Sequence, residues 1–224
     1  MVKEGYWYGL PLGLVAIGCA ALGLLWEAAL FLILTAFVLN FFRDPERTIP
    51  SDPAAIVSPA DGRVVEIAEE DYDGRRVRRI SIFMSPVDVH VNRAPAAGEL
   101  RDIVYRKGRF LVASGPRASV ENEQNVFTVE TEAGPIVVKQ IAGLVARRIV
   151  FWKRVGERLS RGERVGLIKF GSRVDVLLDP AIELSVRTGD RVRAGSTVLA
   201  RAPGRDMGAA QAAQARGAAP PDRG

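Results

Sequence analysis

Apolar positions run almost unbroken from Tyr6 to Phe42, with Glu27 as the one charge inside. As a single helix this run would be about 55 Å long, against about 30 Å for the hydrocarbon core of a bilayer. Two helices over residues 10–25 and 28–42 fit better, with Trp26 and Glu27 at the turn. Tyr6, Trp7 and Tyr8 then form an interfacial belt, and Arg43 and Arg47 mark the cytoplasmic side. The run is too long for a cleaved signal peptide, and no clear small-residue cleavage site ends it. The expectation for residues 1–42 is therefore a retained anchor at the cell membrane, with the body facing the cytoplasm.

After Phe42 the pattern changes. Residues 43–55 form a polar linker that begins Arg43-Asp44-Pro45-Glu46-Arg47. From 56 to 201, short β-branched runs alternate with Gly, Pro and Asp turns. Examples are Arg63–Ile67, Val77–Met84, Asn125–Thr131, Ile136–Ile141, Val174–Leu178 and Thr197–Ala200. This spacing predicts a mainly β body, a sandwich or barrel, preceded by the helical hairpin. Two stretches resemble each other: LSRGERVGLI (159–168) and VRTGDRVRAGSTVL (186–199). Both carry the Gly-acid-Arg-Val turn of lipoyl- and biotinyl-type hammerhead domains, which suggests two related halves. The tail, 202–224, has almost no large apolar side chains and is expected to be disordered.

Composition narrows the chemistry. One Cys and one His exclude an internal disulfide and a Cys₂His₂ zinc site, and no metal site is expected. Any imidazole chemistry must use His90. The net charge is +5; residues 1–42 hold one Lys and two Glu, so the remainder carries +6. A basic body beside an apolar anchor favours anionic lipid, and no aromatic-and-basic motif favours nucleic acid. Arg147, Arg148 and Arg173 are candidates to meet anionic headgroups.

Four segments are candidates for chemistry: Ser58–Val64, Met84–Pro95, Gln140–Ile149 and Ile168–Val176. Singly each reads as a turn or a strand end. Together they supply an Asp, a His and a Ser, the parts of an activated hydroxyl. The Ser follows a Gly, which leaves little steric hindrance to attack by the hydroxyl on its own preceding carbonyl. An N→O acyl shift followed by elimination would cut the chain and leave a pyruvoyl group. Such a carbonyl takes up a substrate amine and accepts the electrons released by decarboxylation.

In these segments the chain resembles the short, pyruvoyl-dependent form of the phosphatidylserine decarboxylase proenzymes. The matching stretches are FFRDPER (41–47), SPADGRV (58–64), FMSPVDVHVNRAP (83–95), QIAGLVARRI (140–149) and GLIKFGSRVDV (166–176), in the family's order. The resemblance implies self-cleavage between Gly171 and Ser172, giving a β chain of 1–171 and an α chain of 172–224. Ser172 would become the pyruvoyl cofactor, His90 the catalytic base and Asp61 the residue that orients it. It further implies phosphatidylserine as substrate, a membrane location and a homodimer.

Two departures from the family pattern stand out. Longer members carry two His three residues apart, where this chain has His90 and Arg93. Arg93 cannot accept a proton at ordinary pH. It is a candidate for binding the substrate carboxylate or phosphate, with Asn92 and Lys169 as further substrate contacts. Longer members also cleave at Leu-Gly-Ser-Thr, and this chain contains Ala194-Gly195-Ser196-Thr197. That site lies inside the second hammerhead turn, so Ser172 is preferred to Ser196. The main alternative is a non-enzymatic membrane-anchored adaptor or carrier; it would leave the chain intact, and neither turn shows a Lys at its tip. A Ser peptidase built on Ser85 is the other.

Overall fold

A computed structural model describes residues 1–111, 118–143, 148–169 and 172–202. The apolar run folds as a hairpin of α1 (Lys3–Ala21) and α2 (Leu25–Phe41). The turn lies at Leu22–Leu24, where Gly23 adopts φ +76°, a left-handed conformation cheap only for glycine. Glycine, not the charge at Glu27, sets the turn; Trp26 and Glu27 open α2 instead. α1 also starts earlier than the hydropathy suggested, so Tyr6, Trp7 and Tyr8 are helical.

Close packing joins the two helices. Gly5 and Gly9 are one helical turn apart and face α2. A Cβ at Gly5 would stand 2.8 Å from Phe42 Cβ, and one at Gly9 would stand 2.7 Å from Leu39 Cδ2. Small residues at this spacing let helix backbones approach without a polar interface. Away from that seam the hairpin is bare: Trp7 is 79% exposed, Leu14 69% and Trp26 88%. Among the described residues no helix is long and apolar enough to cross a membrane.

The body is β as expected. Its strands are β1 (Ala55–Val57), β2 (Gly62–Tyr72), β3 (Arg75–Met84), β4 (Val91–Arg93), β5 (Gly98–Arg106), β6 (Gln124–Thr131) and β7 (Gly134–Ala142). After these come β8 (Ile149–Phe151), β9 (Arg158–Leu159), β10 (Arg164–Ile168) and β11 (Ser172–Leu178), then β12 (Glu183–Leu184), β13 (Arg191–Val192) and β14 (Val198–Arg201). One short helix, α3 (Ala118–Glu121), precedes β6. A curled eight-stranded sheet has the order β13-β2-β3-β11-β7-β6-β5-β9, flanked by β1-β14-β12 and β4-β10-β8. Glu66–Tyr72 continues β2 into a hairpin closed by Asp73-Gly74, both at positive φ.

Period-2 alternation gives the large sheet two unlike faces. Ile80 and Ile82 of β3, Phe127 and Val129 of β6, Val138 of β7, and Val174 and Val176 of β11 fill the apolar core. The opposite face is ionic. Arg173 is 2% exposed and Asp175 is fully buried, with Arg173 Nε 2.6 Å from Asp175 Oδ1. Arg79 pairs with Glu66 and Glu70, and Lys139 lies 3.6 Å from Glu70. Burial presses the Lys139 ammonium below its usual range, against the pull of Glu70 and Asp175. Arg173 is therefore an internal ion-pair partner, not the exposed lipid-facing cation its sequence context suggested. Arg148 is exposed; Arg147 lies outside the described residues.

The internal similarity is real in three dimensions. Glu163 Oε2 accepts the Ser160 N–H at 2.8 Å, and Asp190 Oδ2 accepts the Arg187 N–H at 2.8 Å. Gly162 and Glu163 exchange backbone bonds with Ala94, as Gly189 and Asp190 do with Val64. Arg164 pairs with Arg93 across β10 and β4, and Arg191 pairs with Arg63 across β13 and β2. The Asp61 and His90 segments thus enter the body through equivalent turns.

Candidate active site

Ser172 is the first residue of β11 and is fully buried. It lies between Met84 of β3 and Ala142 of β7. Its hydroxyl donates to Met84 Sδ at 3.3 Å. Asn92 Nδ2 approaches the same sulfur at 3.8 Å. Behind Asn92 runs a buried amide chain: Gln140 Nε2 donates to Asn92 Oδ1 at 2.8 Å, and Asn125 Nδ2 donates to Gln140 Oε1 at 2.9 Å. These polar groups occupy one end of an otherwise apolar core, where each must find a partner to offset desolvation. Sequence reasoning missed Met84, Gln140 and Asn125. The available signal was an amide at two strand positions whose alternation called for apolar residues. Phe170 and Gly171 lie outside the described residues.

His90 precedes β4 and is 2% exposed. Its backbone carbonyl accepts the Ile168 N–H at 3.4 Å, which ties it to the strand leading toward Ser172. Its Nδ1 lies 2.9 Å from the Asp88 carbonyl. A carbonyl only accepts, so Nδ1 carries the proton and Nε2 keeps its lone pair. That Nε2 is buried and has no hydrogen-bond partner among the described residues. Phe41 of α2 covers the imidazole, with ring centroids 4.1 Å apart. Desolvation, only partly offset by the Asp88 carbonyl and carboxylate, lowers the His90 pKa to about 4. At neutral pH the ring is therefore an uncharged base under an apolar cover.

The remaining sequence candidates stand elsewhere. Asp61 is not at the imidazole: its carboxylate takes both bonds from Arg47 NH2, at 2.9 and 2.8 Å, and one from the Ala194 N–H. Among the described residues no hydrogen bond joins Asp61 to His90. Arg93 is buried and spent on Asp44 Oδ1 at 3.0 Å, on the Pro45 carbonyl and on the Gly162 carbonyl. Neighbouring strand residues face opposite ways, and Asn92 takes the side toward Ser172. Lys169 is half-buried, with Nζ 3.4 Å from the Tyr8 hydroxyl and 5.0 Å from its ring centroid. Ser196 sits in a tight turn whose Gly195 N–H donates to Ser58. The Ser85 N–H is capped by Asp88 Oδ2 at 2.9 Å, an ordinary turn arrangement.

This arrangement offers a buried hydroxyl, an uncharged imidazole base and a fixed amide network. It fits a group generated from Ser172 itself: β11 is hydrogen-bonded on both sides, so its first residue is held whatever precedes it. Comparison with known proteins gives the family. The phosphatidylserine decarboxylase family profile matches residues 34–200. A phosphatidylserine decarboxylase proenzyme of Solibacter usitatus is 51% identical over 207 residues, covering 90% of this chain and 96% of its own. That of Salinibacter ruber is 53% identical over 189 residues, 82% of this chain and 83% of its own. That of Geotalea uraniireducens is 46% identical over 202 residues, 89% and 95% respectively. With matches of this length and identity, the chain belongs to the phosphatidylserine decarboxylase family.

Proposed function

We propose that the chain is a proenzyme that cuts itself between Gly171 and Ser172 and then converts phosphatidylserine to phosphatidylethanolamine and carbon dioxide. The observation that carries the reading is Ser172: a fully buried serine at the head of a central strand, in a chain of this family. In the cleavage, Ser172 Oγ adds to the Gly171 carbonyl and the C–N bond breaks, giving an ester. Loss of the Ser172 α-proton expels the Gly171 carboxylate. One water is then consumed and one ammonia released, which leaves a pyruvoyl group on residue 172. When formed, that group supplies an electron-accepting carbonyl to the amine of the lipid headgroup.

The chain's own residues supply the rest. His90 keeps a proton at Nδ1 against Asp88 and offers Nε2 as the base. One imidazole serves both maturation and turnover, since the chain has no second His. Asn92, Gln140 and Asn125 fix polar groups beside residue 172 at no cost in reorganisation. Asp61 acts on the linker through Arg47 and so positions the site from a distance. A bare apolar hairpin would seat the body at a lipid surface, which suits a substrate that stays in the bilayer. α1, about 28 Å long at 1.5 Å per residue, would lie in or dip into the membrane with the body on the cytoplasmic side. A homodimer is part of the same reading.

Intact-protein mass spectrometry of the purified chain, beside Ser172→Ala, tests the proposal. Two fragments, 1–171 and 172–224, the second without a free α-amine, are expected from the wild type and one mass from the variant. Carbon dioxide release from phosphatidylserine vesicles should follow cleavage. A single mass that persists with anionic vesicles, without carbon dioxide release, would return the adaptor reading.

A further inference from the structure

The linker is tied down more tightly than its exposed, Pro-rich sequence suggests. Over five residues, four side chains are held by the body. Arg43 donates to the Val87 carbonyl at 2.7 Å. Asp44 is gripped from two sides, with Oδ1 3.0 Å from Arg93 NH2 and Oδ2 2.5 Å from Arg164 Nε. Glu46 pairs with the same Arg164, and Arg47 with Asp61. Arg93 and Arg164 are themselves register partners across β4 and β10, so two rigid strands present both cations to one carboxylate. The Asp44 side chain is only 10% exposed, where a two-armed charged contact is worth far more than a surface pair.

Asp44 lies three residues after Phe41, a reach of at most about 10 Å of chain. Phe41 and Phe42 pack with Val2, Val89, Val91 and Leu167 in an apolar cluster separate from the main core. Apolar contact is non-directional, so this cluster alone leaves the end of α2 free to slide or rotate. A bidentate ionic contact fixes it. We infer that Asp44 is a positioning residue for His90: the Arg93–Asp44–Arg164 clamp sets where the hairpin ends, and thereby seats Phe41 on the imidazole and keeps Nε2 dry. The inference deepens the reading of His90 as the base, and the geometry of the clamp is independent of that reading.

Two charged groups act on the ring. Asp88, from its own turn, favours the protonated form, and Arg43, from the linker, disfavours it. From α2 the ring meets Phe41, and from β10 it meets the Ile168 N–H. Desolvation outweighs both charges. Lifting Phe41 should therefore raise the His90 pKa. Asp44 is not among the charges that act on the ring, so deleting its charge at fixed geometry would not raise the pKa, and an upward shift in Asp44→Asn reports that the ring is no longer covered.

His90 is the only histidine, so histidine-selective ¹⁵N labelling gives one imidazole to follow by NMR. The experiment uses the full chain in detergent micelles, on a Ser172→Ala background that keeps it uncut. The parent should stay in the Nδ1–H form down to about pH 5 and titrate near 4. Asp44→Asn and Phe41→Ala should each raise the midpoint by about one pH unit or more and mix the tautomers. Arg164→Gln, which keeps one arm of the clamp and guards against misfolding of Asp44→Asn, should give a smaller shift of the same sign. Glu46→Gln, at an exposed side chain, should leave the titration where it was. An upward shift in Phe41→Ala with none, or a downward one, in Asp44→Asn and Arg164→Gln would overturn the inference. No shift in any variant would also overturn it, by showing that Phe41 is not the cover. None of these readings requires decarboxylation, so failure here is distinct from failure of the proposed activity.

Discussion

Asp175→Asn tests the account of the ionic face of the sheet. Asp175 is fully buried and accepts two bonds from Arg173, at 2.6 and 3.2 Å. The amide keeps the shape and removes the charge. Arg173 would then retain the Ser81 hydroxyl at 2.7 Å and Glu66 at 3.8 Å, the latter half-exposed and shared with Arg79. Breaking one side of a buried pair typically costs about 3–5 kcal/mol, because the surviving charge stays buried. With a urea slope of about 2 kcal/mol per molar, the unfolding midpoint should fall by roughly 1.5–2.5 M. The measurement is made on the uncut Ser172→Ala chain in micelles, so that one chain unfolds. Arg173→Met should cost a similar amount. The double variant Arg173→Met/Asp175→Leu should recover to within about 1 kcal/mol of the parent, since a well-packed apolar pair replaces an ion pair at little cost. With Asp175→Leu as the matching single, at a similar cost, the cycle then gives a coupling of at least about 5 kcal/mol. A loss in Asp175→Asn below about 1 kcal/mol, or additive singles, would refute the argument that these two charges stabilise only as a pair.

Three further outcomes follow from other parts of the molecule. The depressed His90 pKa makes a contribution that is complete above pH 6.5 and lost as pH falls toward 4, because the unfolded ring binds its proton first. Over that window the parent should lose about 3 kcal/mol more than His90→Gln in urea melts; equal losses would show that the ring is not desolvated. Gly166→Ala would put a Cβ 2.2 Å from the Val150 carbonyl oxygen, so β8 and β10 must separate. Its thermal midpoint should fall by several degrees or more, whereas Gly134→Ala, with open space around it but φ +100°, should show only backbone strain. Arg161 donates to the carbonyls of Pro50, Asp52, Pro53 and Ala55. Arg161→Ala should therefore expose residues 48–55 to limited proteolysis while leaving the far-UV spectrum unchanged.

Local patterns carried much of the fold. Five of the six expected strands fall within observed ones, and Thr197–Ala200 begins one residue before β14, because β-branched runs bounded by Gly and Asp need only their neighbours to declare themselves. The paired hammerhead turns were legible because a Gly followed by an acid makes the same side-chain cap twice. What was not legible is tertiary. Hydropathy sees the charge at Glu27 but not that Gly23 can turn. Arg173 looked like a surface cation because one strand does not reveal that Asp175, Glu66 and Ser81 share its face. Arg93 looked free to bind substrate because its partner Asp44 is 49 positions away in the chain. For the same reason Asp61 could be linked to His90 but not placed: Arg47 claims its carboxylate. Residue types announced the chemistry, and the pairing of distant segments decided which of them face it.

The position of β11 bears on what happens to this chain after synthesis. β11 lies between β3 and β7 near the middle of the eight-stranded sheet, and β14 lies between β1 and β12. Both strands follow Ser172, while their neighbours β1, β3 and β7 precede it. The uncut chain can assemble these sheets in a unimolecular reaction. If the proposed cut is made before Ser172, the same sheets join two polypeptides, and recovery from denaturant becomes bimolecular and dependent on concentration. Native and cut proteins with nearly identical contacts should thus part company on dilution: the precursor refolds at any concentration, while the mature pair fails to refold when dilute. Maturation would then convert an equilibrium fold into one held by the barrier to unfolding, and the working lifetime of the protein would be set by a rate.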